Sequence, residues 1–139
     1  MYKIFVYGTL KRNFPNFYLN KGNFIDKCVT VEKFSLCLVG ERYSPCIIKN
    51  FTHENYIIGE LFEVNDETMQ NFDLRERIDK EDGYKKIQIQ VKKIASNEKT
   101  TAFCYVKEIY QINTADVYVS NLMEYTVNHS LLYKQRVIY

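Results

Sequence analysis

The sequence is poor in the residues that usually announce metal or nucleophile chemistry. It has only two histidines, His53 and His129, and no two of its four cysteines, Cys28, Cys37, Cys46 and Cys104, are spaced as Cys-x-x-Cys. A zinc site is therefore not expected, and the cysteines read as reduced thiols buried on strands. Cys46 follows Pro45, but no histidine stands in a recognisable relation to it, so it is not read as a nucleophile. The histidines are read as ordinary surface or loop residues. No apolar run approaches 18 residues, which argues against a transmembrane helix, and Lys3 leads into no long apolar segment, which argues against a signal peptide. Nineteen basic residues against seventeen acidic ones leave +2, too balanced to point to a nucleic acid or a membrane. No repeat, low-complexity segment or Pro/Gly/Ser linker marks a boundary. The expectation is a soluble, cytoplasmic protein of one domain spanning residues 1–139.

What the chain does have is apolar material in short, strand-like pieces. A chain of this length buries roughly 65–70% of the surface its unfolded form exposes, enough for one real core. Its 46% apolar and 15% aromatic residues suit that core. Tyr2 to Tyr7 reads as a strand buried on both faces. Phe34–Val39, Ile47–Ile48, Ile57–Val64 and Thr101–Val106 read as further strands. Ile87, Ile89 and Val91 alternate with Gln88, Gln90 and Lys92, the pattern of a half-exposed strand. Two helices are expected. One runs from Asp66, as N-cap, to about Glu76, and one from after Thr114 to about Asn128, with Val117, Leu122 and Tyr125 among its apolar positions. Many short strands with few helices give an α+β class: a small, curled mixed β-sheet or β-barrel with flanking helices.

Chemistry enters at two places. Met69, Phe72, Asp73 and Glu76 stand at i, i+3, i+4 and i+7, so two carboxylates share the apolar face of the first helix, with Arg75 and Arg77 pointing elsewhere. An acid on an inward face must be hydrogen-bonded or neutral, and burial raises its pKa towards the range of a usable base. The plain reading is that Glu76 reaches water at the helix end, and that Asp73 is structural, bonding backbone at a strand end. The second place is Tyr7-Gly8-Thr9-Leu10, which ends the first strand without the chemistry of an ordinary hairpin turn. Gly8 permits a sharp turn or a close approach. The amides after it can converge as a nest for a carboxylate, with the Thr9 hydroxyl beside them. This is no phosphate loop, because one glycine is not followed by Gly-Lys-Ser/Thr.

Taken together, these stretches resemble a known family. Val6-Tyr7-Gly8-Thr9-Leu10-Lys11-Arg12 looks like the signature of the gamma-glutamylcyclotransferase-like superfamily, closest to its gamma-glutamylamine cyclotransferases. Gly40-Glu41-Arg42-Tyr43-Ser44-Pro45, ahead of Cys46-Ile47-Ile48, is similar to the family's Gly-Glu…Pro stretch. Ile58-Gly59-Glu60-Leu61-Phe62-Glu63-Val64 resembles its glycine-glutamate strand. Phe72-Asp73-Leu74-Arg75-Glu76 matches its Leu-Asp-x-x-Glu with Phe72 for leucine, and Tyr84 stands where the family opens its next strand with tyrosine. The matches run in order from residue 4 to about residue 91. Two departures stand out: the stretch from Arg77 to Gly83 is longer than in the nearest branch, and Tyr84-Lys85-Lys86 replaces Tyr-x-Arg. Glu81 and Asp82, inside that stretch, are competing acid candidates.

The resemblance implies a small β-barrel with flanking helices and a cavity at one end. It implies that Tyr7, Gly8, Thr9 and Leu10 bind a glutamyl group, that Glu76 is the proton acceptor, and that Asp73 and Tyr84 support the site. The implied reaction closes a γ-glutamyl amide, such as γ-glutamyl-ε-lysine, on its own α-amino group, releasing 5-oxoproline and an amine, with no metal, nucleotide or redox cofactor. Two alternatives remain at this level. One is a non-catalytic small-molecule-binding barrel of the same fold, for which the altered loop leaves room and against which Glu76 argues. The other is a single-stranded nucleic-acid module, suggested by twelve tyrosines and nine phenylalanines. The basic doublets Lys11-Arg12, Lys85-Lys86 and Lys92-Lys93 are too far apart for the latter, and the aromatics are better read as core. The expected partner is therefore a small γ-glutamyl molecule, with no nucleic acid and no membrane.

Overall fold

The computed structural model describes residues 1–52 and 54–135; His53 lies outside the described residues. In chain order the strands are β1 (Tyr2–Val6), β2 (Asn23–Thr30), β3 (Ser35–Val39), β4 (Ser44–Lys49), β5 (Ile58–Val64), β6 (Lys85–Lys93), β7 (Lys99–Glu108) and β8 (Val117–Leu122). The helices are α1 (Asp66–Arg75) and the single turn α2 (Val127–Ser130). Strands β1, β5, β2, β6 and β7 neighbour one another in that order, and a parallel bridge from Ile4 to Phe103 returns β7 to β1. Five strands thus close into a barrel. The sheet continues from β7 through the parallel neighbour β4 to β3 and β8. Among the described residues no helix is long and apolar enough to cross a membrane.

The alternation along β1 decides how the layers assemble. Side chains on a strand alternate between its faces. Phe5 and Tyr7 point into the barrel interior, with Leu36, Leu38, Ile47, Leu61, Val91 and Cys104. Ile4 and Val6 point the other way, into a second core with Phe62, Val64 and the Met69 and Phe72 face of α1. The strand is therefore buried on both faces, and α1 packs on the outside of the barrel wall. Gly59 makes the first layer fit, because a Cβ there would lie 2.5 Å from the Val6 carbonyl oxygen and 2.6 Å from Phe5 Cζ. β6 is half-exposed as expected, with Ile89 and Val91 buried and Gln88 and Gln90 in solvent.

Three expectations are corrected. The N-cap of α1 is Asn65, whose Oδ1 accepts the Thr68 amide at 2.9 Å, and Asp66 is already helical. The long helix after Thr114 does not form. Thr114–Asp116 make a single 3-10 turn, Val117–Leu122 form strand β8, and helix resumes only at Val127–Ser130. The β-branched Val117 and Val119 meet Val39 and Leu38 of β3 across the sheet, and that partner outweighs the helical spacing of Val117, Leu122 and Tyr125. Strand β2 was also not anticipated. Asp26 and Lys27 interrupt its apolar pattern, and a bulge between Phe24 and Asp26 shifts its register against β5.

All four cysteines are free, fully buried and carried by strands. Burial pushes the Cys28 and Cys37 thiols up to about 11, and that of Cys46 to about 12, from an ordinary 9.0; Cys104 is raised by the same cause. The folded state therefore keeps protons that the unfolded chain loses above about pH 9, so stability falls as pH rises from there. Each thiol contributes a loss of roughly 2–3 kcal/mol by about pH 11. Lys11 acts in the opposite sense, because burial lowers its ammonium from 10.5 to about 8, but it is one group against four. Urea midpoints under reducing conditions should hold level to about pH 9 and drop steeply by pH 10.5. A midpoint that climbs through this range would contradict the assignment.

Candidate active site

The chain leaves β1 through a tight, internally bonded loop. The Lys11 amide donates to the Gly8 carbonyl at 3.1 Å, and the Asn16 amide donates to the Thr9 carbonyl at 2.9 Å. The Thr9 and Leu10 amides donate to no acceptor among the described residues. Gly8 is required by a close approach within the protein. A Cβ at this position would sit 2.6 Å from Pro45 Cγ, on a ring that cannot swing aside. Lys11 and Arg12 fasten the loop to the body. Buried Lys11 donates its Nζ to the Tyr125 carbonyl. Arg12 donates its amide and its Nε to the Glu60 carboxylate, at 2.8 and 3.2 Å, with its guanidinium over the Phe24 ring. The glutamate of the glycine-glutamate strand thus holds the loop that the first motif opens.

Tyr7 lies at the hinge between strand and loop. Its buried hydroxyl donates to the Tyr105 carbonyl at 2.8 Å and accepts the Ile47 amide at 3.1 Å. Burial, reinforced by neighbouring phenol and thiol groups, raises its pKa well above the usual tyrosine value. Both of these bonds are made to backbone, so the hydroxyl joins β1 to β7 and β4.

The second motif comes from the end of α1. Asp73 and Glu76 share its apolar side as expected, yet they part company. Asp73 Oδ1 accepts the Tyr105 hydroxyl at 2.6 Å and Oδ2 accepts Lys86 Nζ at 2.8 Å. It braces side chains rather than a strand-end amide and does not line the cleft described below. Glu76 is the C-cap of the helix. Its amide donates to the Phe72 carbonyl at 2.8 Å, and its carbonyl accepts the Tyr84 amide at 2.9 Å. The stretch from Arg77 to Gly83 therefore leaves and returns at one point, and its length does not displace the glutamate. Arg77, at φ 55°, makes the left-handed turn out of the helix and pairs with Asp82 at 3.0 Å. Glu81 is exposed and lines neither of the two clefts described below.

These pieces meet in one cleft, enclosing about 640 Å³ including its open mouth. Tyr7, Gly8, Thr9 and Leu10 line one part of it, and Glu76 and Tyr84 another. The Tyr84 hydroxyl donates to the Pro45 carbonyl at 3.3 Å, and burial, with the nearby Cys46 and Glu76 groups, raises its pKa well above the ordinary value. Arg75 also lines the cleft, which corrects the expectation that it points away. A second cleft adjoins the first through Arg42, Ser44, Glu76 and Tyr84. Asp82, one of the competing acids, belongs to that second cleft and is tied to Arg77. Cys46, pushed up to about 12, stays a thiol.

Sequence reasoning did not place Asn16, Arg42, Tyr105 or Tyr133 at the site. Arg42 lies within a motif that was recognised for its glycine and proline. Tyr133 arrives from the far end of the chain, where Lys134 donates its amide to the Arg42 carbonyl at 2.9 Å. Residues 136–139 lie outside the described residues. His129 accepts the Thr126 amide at 3.0 Å as a local helix cap and does not line either cleft.

Comparison with known proteins agrees with this arrangement. The profile of the family described as "Gamma-glutamyl cyclotransferase, AIG2-like" matches residues 4–127. Gamma-glutamylaminecyclotransferase B of Danio rerio is 30% identical over 132 residues, 85% of this chain and 68% of its own length. Gamma-glutamylaminecyclotransferase of Rattus norvegicus is 33% identical over 79 residues, 52% of this chain and 53% of its own. Among solved structures, an AIG2-like protein from Mus musculus superposes with a TM-score of 0.83 at 26% identity, covering 100% of this chain and 99% of that one. A match over most of the chain means that the chain belongs to the gamma-glutamyl cyclotransferase, AIG2-like family.

Proposed function

We propose that this protein is a gamma-glutamylamine cyclotransferase that closes a γ-glutamyl amide to 5-oxoproline and frees the amine. The observation that carries the proposal is the meeting of Glu76 with the Tyr7–Leu10 loop in one cleft, where the Thr9 and Leu10 amides have no acceptor among the described residues. The family's relatives that carry this name support the substrate class.

The chemistry asks little of the protein. The substrate's α-amino nitrogen attacks its own γ-carbonyl carbon, so the nucleophile is already attached. Holding the glutamyl chain folded for that attack is worth several kcal/mol, with a ceiling near ~7–11 for ideal intramolecular reactions. The Gly8–Leu10 loop would hold negative charge in the substrate through its amides and the Thr9 hydroxyl. Proton handling remains. The α-ammonium must lose a proton before it attacks, and the departing nitrogen must gain one as the C–N bond breaks. Glu76 would accept the first and return it to the departing nitrogen; the second proton, which the ring nitrogen sheds after attack, would pass by the same carboxylate to the amine, which leaves as an ammonium ion, so no net proton is consumed at the enzyme. Its position suits both steps, because it lines the cleft that carries the loop and the adjoining one, through which the amine would leave. Tyr105 and Tyr84 remain neutral phenols beside it, which leaves the carboxylate as the proton acceptor.

The direct test is 5-oxoproline release from γ-glutamyl-ε-lysine, γ-glutamyl-alanine and glutathione. Glu76→Gln keeps the shape and removes the proton acceptor, so kcat should fall about 10²–10⁴-fold while the fold is retained. Wild-type protein that releases 5-oxoproline from no member of the panel would instead identify a binding barrel. A second variant tests the loop. Gly8→Ala drives a Cβ into Pro45 and shifts the Thr9 and Leu10 amides, so kcat/KM should fall by about 10²-fold. Unchanged turnover by Gly8→Ala would show that the loop is not the glutamyl anchor.

A further inference from the structure

The chain from the end of β8 to Lys134 is held at two places that differ in strength. The first is Tyr125, which has no exposed surface. Its ring packs against Phe14 with centroids 5.5 Å apart, and its carbonyl accepts buried Lys11 Nζ. Beside it the Met123 carbonyl accepts the Ile58 amide at 2.8 Å, and Glu124 pairs with Lys27 at 3.6 Å. The second place is Tyr133 with Lys134. The Tyr133 hydroxyl stands 3.1 Å from the side-chain amide of buried Asn16, and the same end of that amide stands 2.8 Å from the Thr9 hydroxyl. The Lys134 amide donates to the Arg42 carbonyl at 2.9 Å. Between the two anchors α2 is a single turn with no buried residue, and Leu131, 78% exposed, follows it. A segment with few buried contacts and exposed hydrogen bonds opens locally far more readily than the core it joins.

Resting on the cyclotransferase reading, we infer that the segment from Thr126 to Lys134 is a strap across the first cleft, and that Tyr133 is a positioning residue for the loop that anchors the glutamyl group. The landing place of the second anchor argues for this. Tyr133 lines the first cleft, with the loop and Glu76, and does not line the second. Its hydroxyl reaches that of Thr9 through one side-chain amide. Each hydroxyl can donate or accept, so the link from Tyr133 through Asn16 to Thr9 holds whichever end of the Asn16 amide carries the nitrogen. The docked strap thereby limits the rotamers open to Thr9. Lys134 at the same time ties the strap to Arg42, which lines both clefts. The strap thus spans from the loop after β1 to the turn ahead of β4. A ligand that touches both the loop and Tyr133 favours the docked arrangement, so binding and docking reinforce each other. The strap brings no proton to the reaction. Its effect falls on how tightly a preorganised loop holds the glutamyl group.

Three variants test this. Tyr133→Phe removes the hydroxyl and keeps the ring, Tyr133→Ala removes both, and Leu131→Ala changes the strap at a residue that lines neither cleft. Hydrogen exchange without ligand comes first. Tyr133→Phe should speed exchange of the Lys134 amide and of the Asn16 amide about 3–10-fold, the effect of one neutral hydrogen bond, and leave the strand amides of the barrel unchanged. Faster exchange at Lys134 alone would show a strap with no hold on the loop, and would overturn the inference. This arm needs no turnover. Wild-type protein that cyclises no γ-glutamyl compound would refute the cyclotransferase reading, while exchange still decides whether the strap holds the loop. Kinetics come second. Tyr133→Phe should raise KM about 3–10-fold, by the same factor for every γ-glutamyl compound that wild type turns over, with kcat and its pH profile unchanged. Tyr133→Ala should raise KM further, and Leu131→Ala should alter neither exchange at Asn16 nor KM. A factor that varies with the amine would put Tyr133 on the departing group, and an unchanged KM in the Tyr133 variants would place the strap outside the site; either result overturns the inference. If Tyr133→Ala does not fold, Tyr133→Phe decides alone, because it leaves the ring in place.

Discussion

The buried hydroxyl of Tyr7 is the contact on which the site depends. It is donor to a carbonyl of β7 and acceptor from an amide of β4, and it sits one residue past the end of β1. Those three strands meet where the barrel closes and the extra strands begin. Their ends present backbone groups that a regular ladder does not pair, and a buried group left unpaired costs about 1–3 kcal/mol. A phenol is suited to the position because its ring fills the barrel interior while its single oxygen serves both roles. With that oxygen in place, the chain beyond Tyr7 starts from a fixed point. Gly8 can then lie against Pro45 of β4, and the next amides are aimed by a rigid wall.

Glu76 is fixed by an equivalent economy on the other side. A helix end leaves its last carbonyls unpaired, and here Tyr84 at the start of β6 returns to bond the Glu76 carbonyl. The helix is anchored by Met69 and Phe72 in the outer core and by Asp73, which binds Tyr105 of β7 and Lys86 of β6. One face of α1 therefore divides its labour between packing, bracing and the cleft. Seven residues lie between Glu76 and Tyr84, but their two ends meet, so variation in that segment shapes the second cleft and leaves the acid where it is.

The fold was legible where local pattern and tertiary outcome coincide. The alternation in β1 and β6, the amphipathic α1 and the thiols on strands were readable because side-chain periodicity dictates which face is buried. The failures are strands β2 and β8, whose existence depends on a partner more than on their own pattern. Val117 and Val119 suit a strand, yet the spacing with Leu122 and Tyr125 suits a helix equally, and only β3 decides between them. The residues proposed to carry the chemistry stand out in the sequence for a different reason. Gly8 and Glu76 stand in short motifs whose geometry is local. Asn16 is four residues beyond the end of the first motif as quoted, and its place at the cleft is set by its bonds to Thr9 and Tyr133. No spacing rule reports contacts to a residue as distant as Tyr133.

This separation follows from what the proposed reaction demands. Cyclisation of a γ-glutamyl group is the same whatever amine departs, so the parts that fold the glutamyl chain and move its proton can sit in rigid, locally encoded elements. Those parts are the end of β1, its loop to Asn16, and the end of α1. Recognition of the amine is a different problem, set by the wall that the departing group meets. That wall is assembled from Arg42, the 77–83 segment and the stretch from Lys107 to Asp116, drawn from three distant regions of the chain. It carries charges of both signs, Arg42, Arg77 and Lys107 with Glu41, Asp82 and Asp116, of which Arg77 and Asp82 pair at 3.0 Å. The proposed chemistry and the recognition of the amine thus occupy different structural layers, and they meet at Glu76.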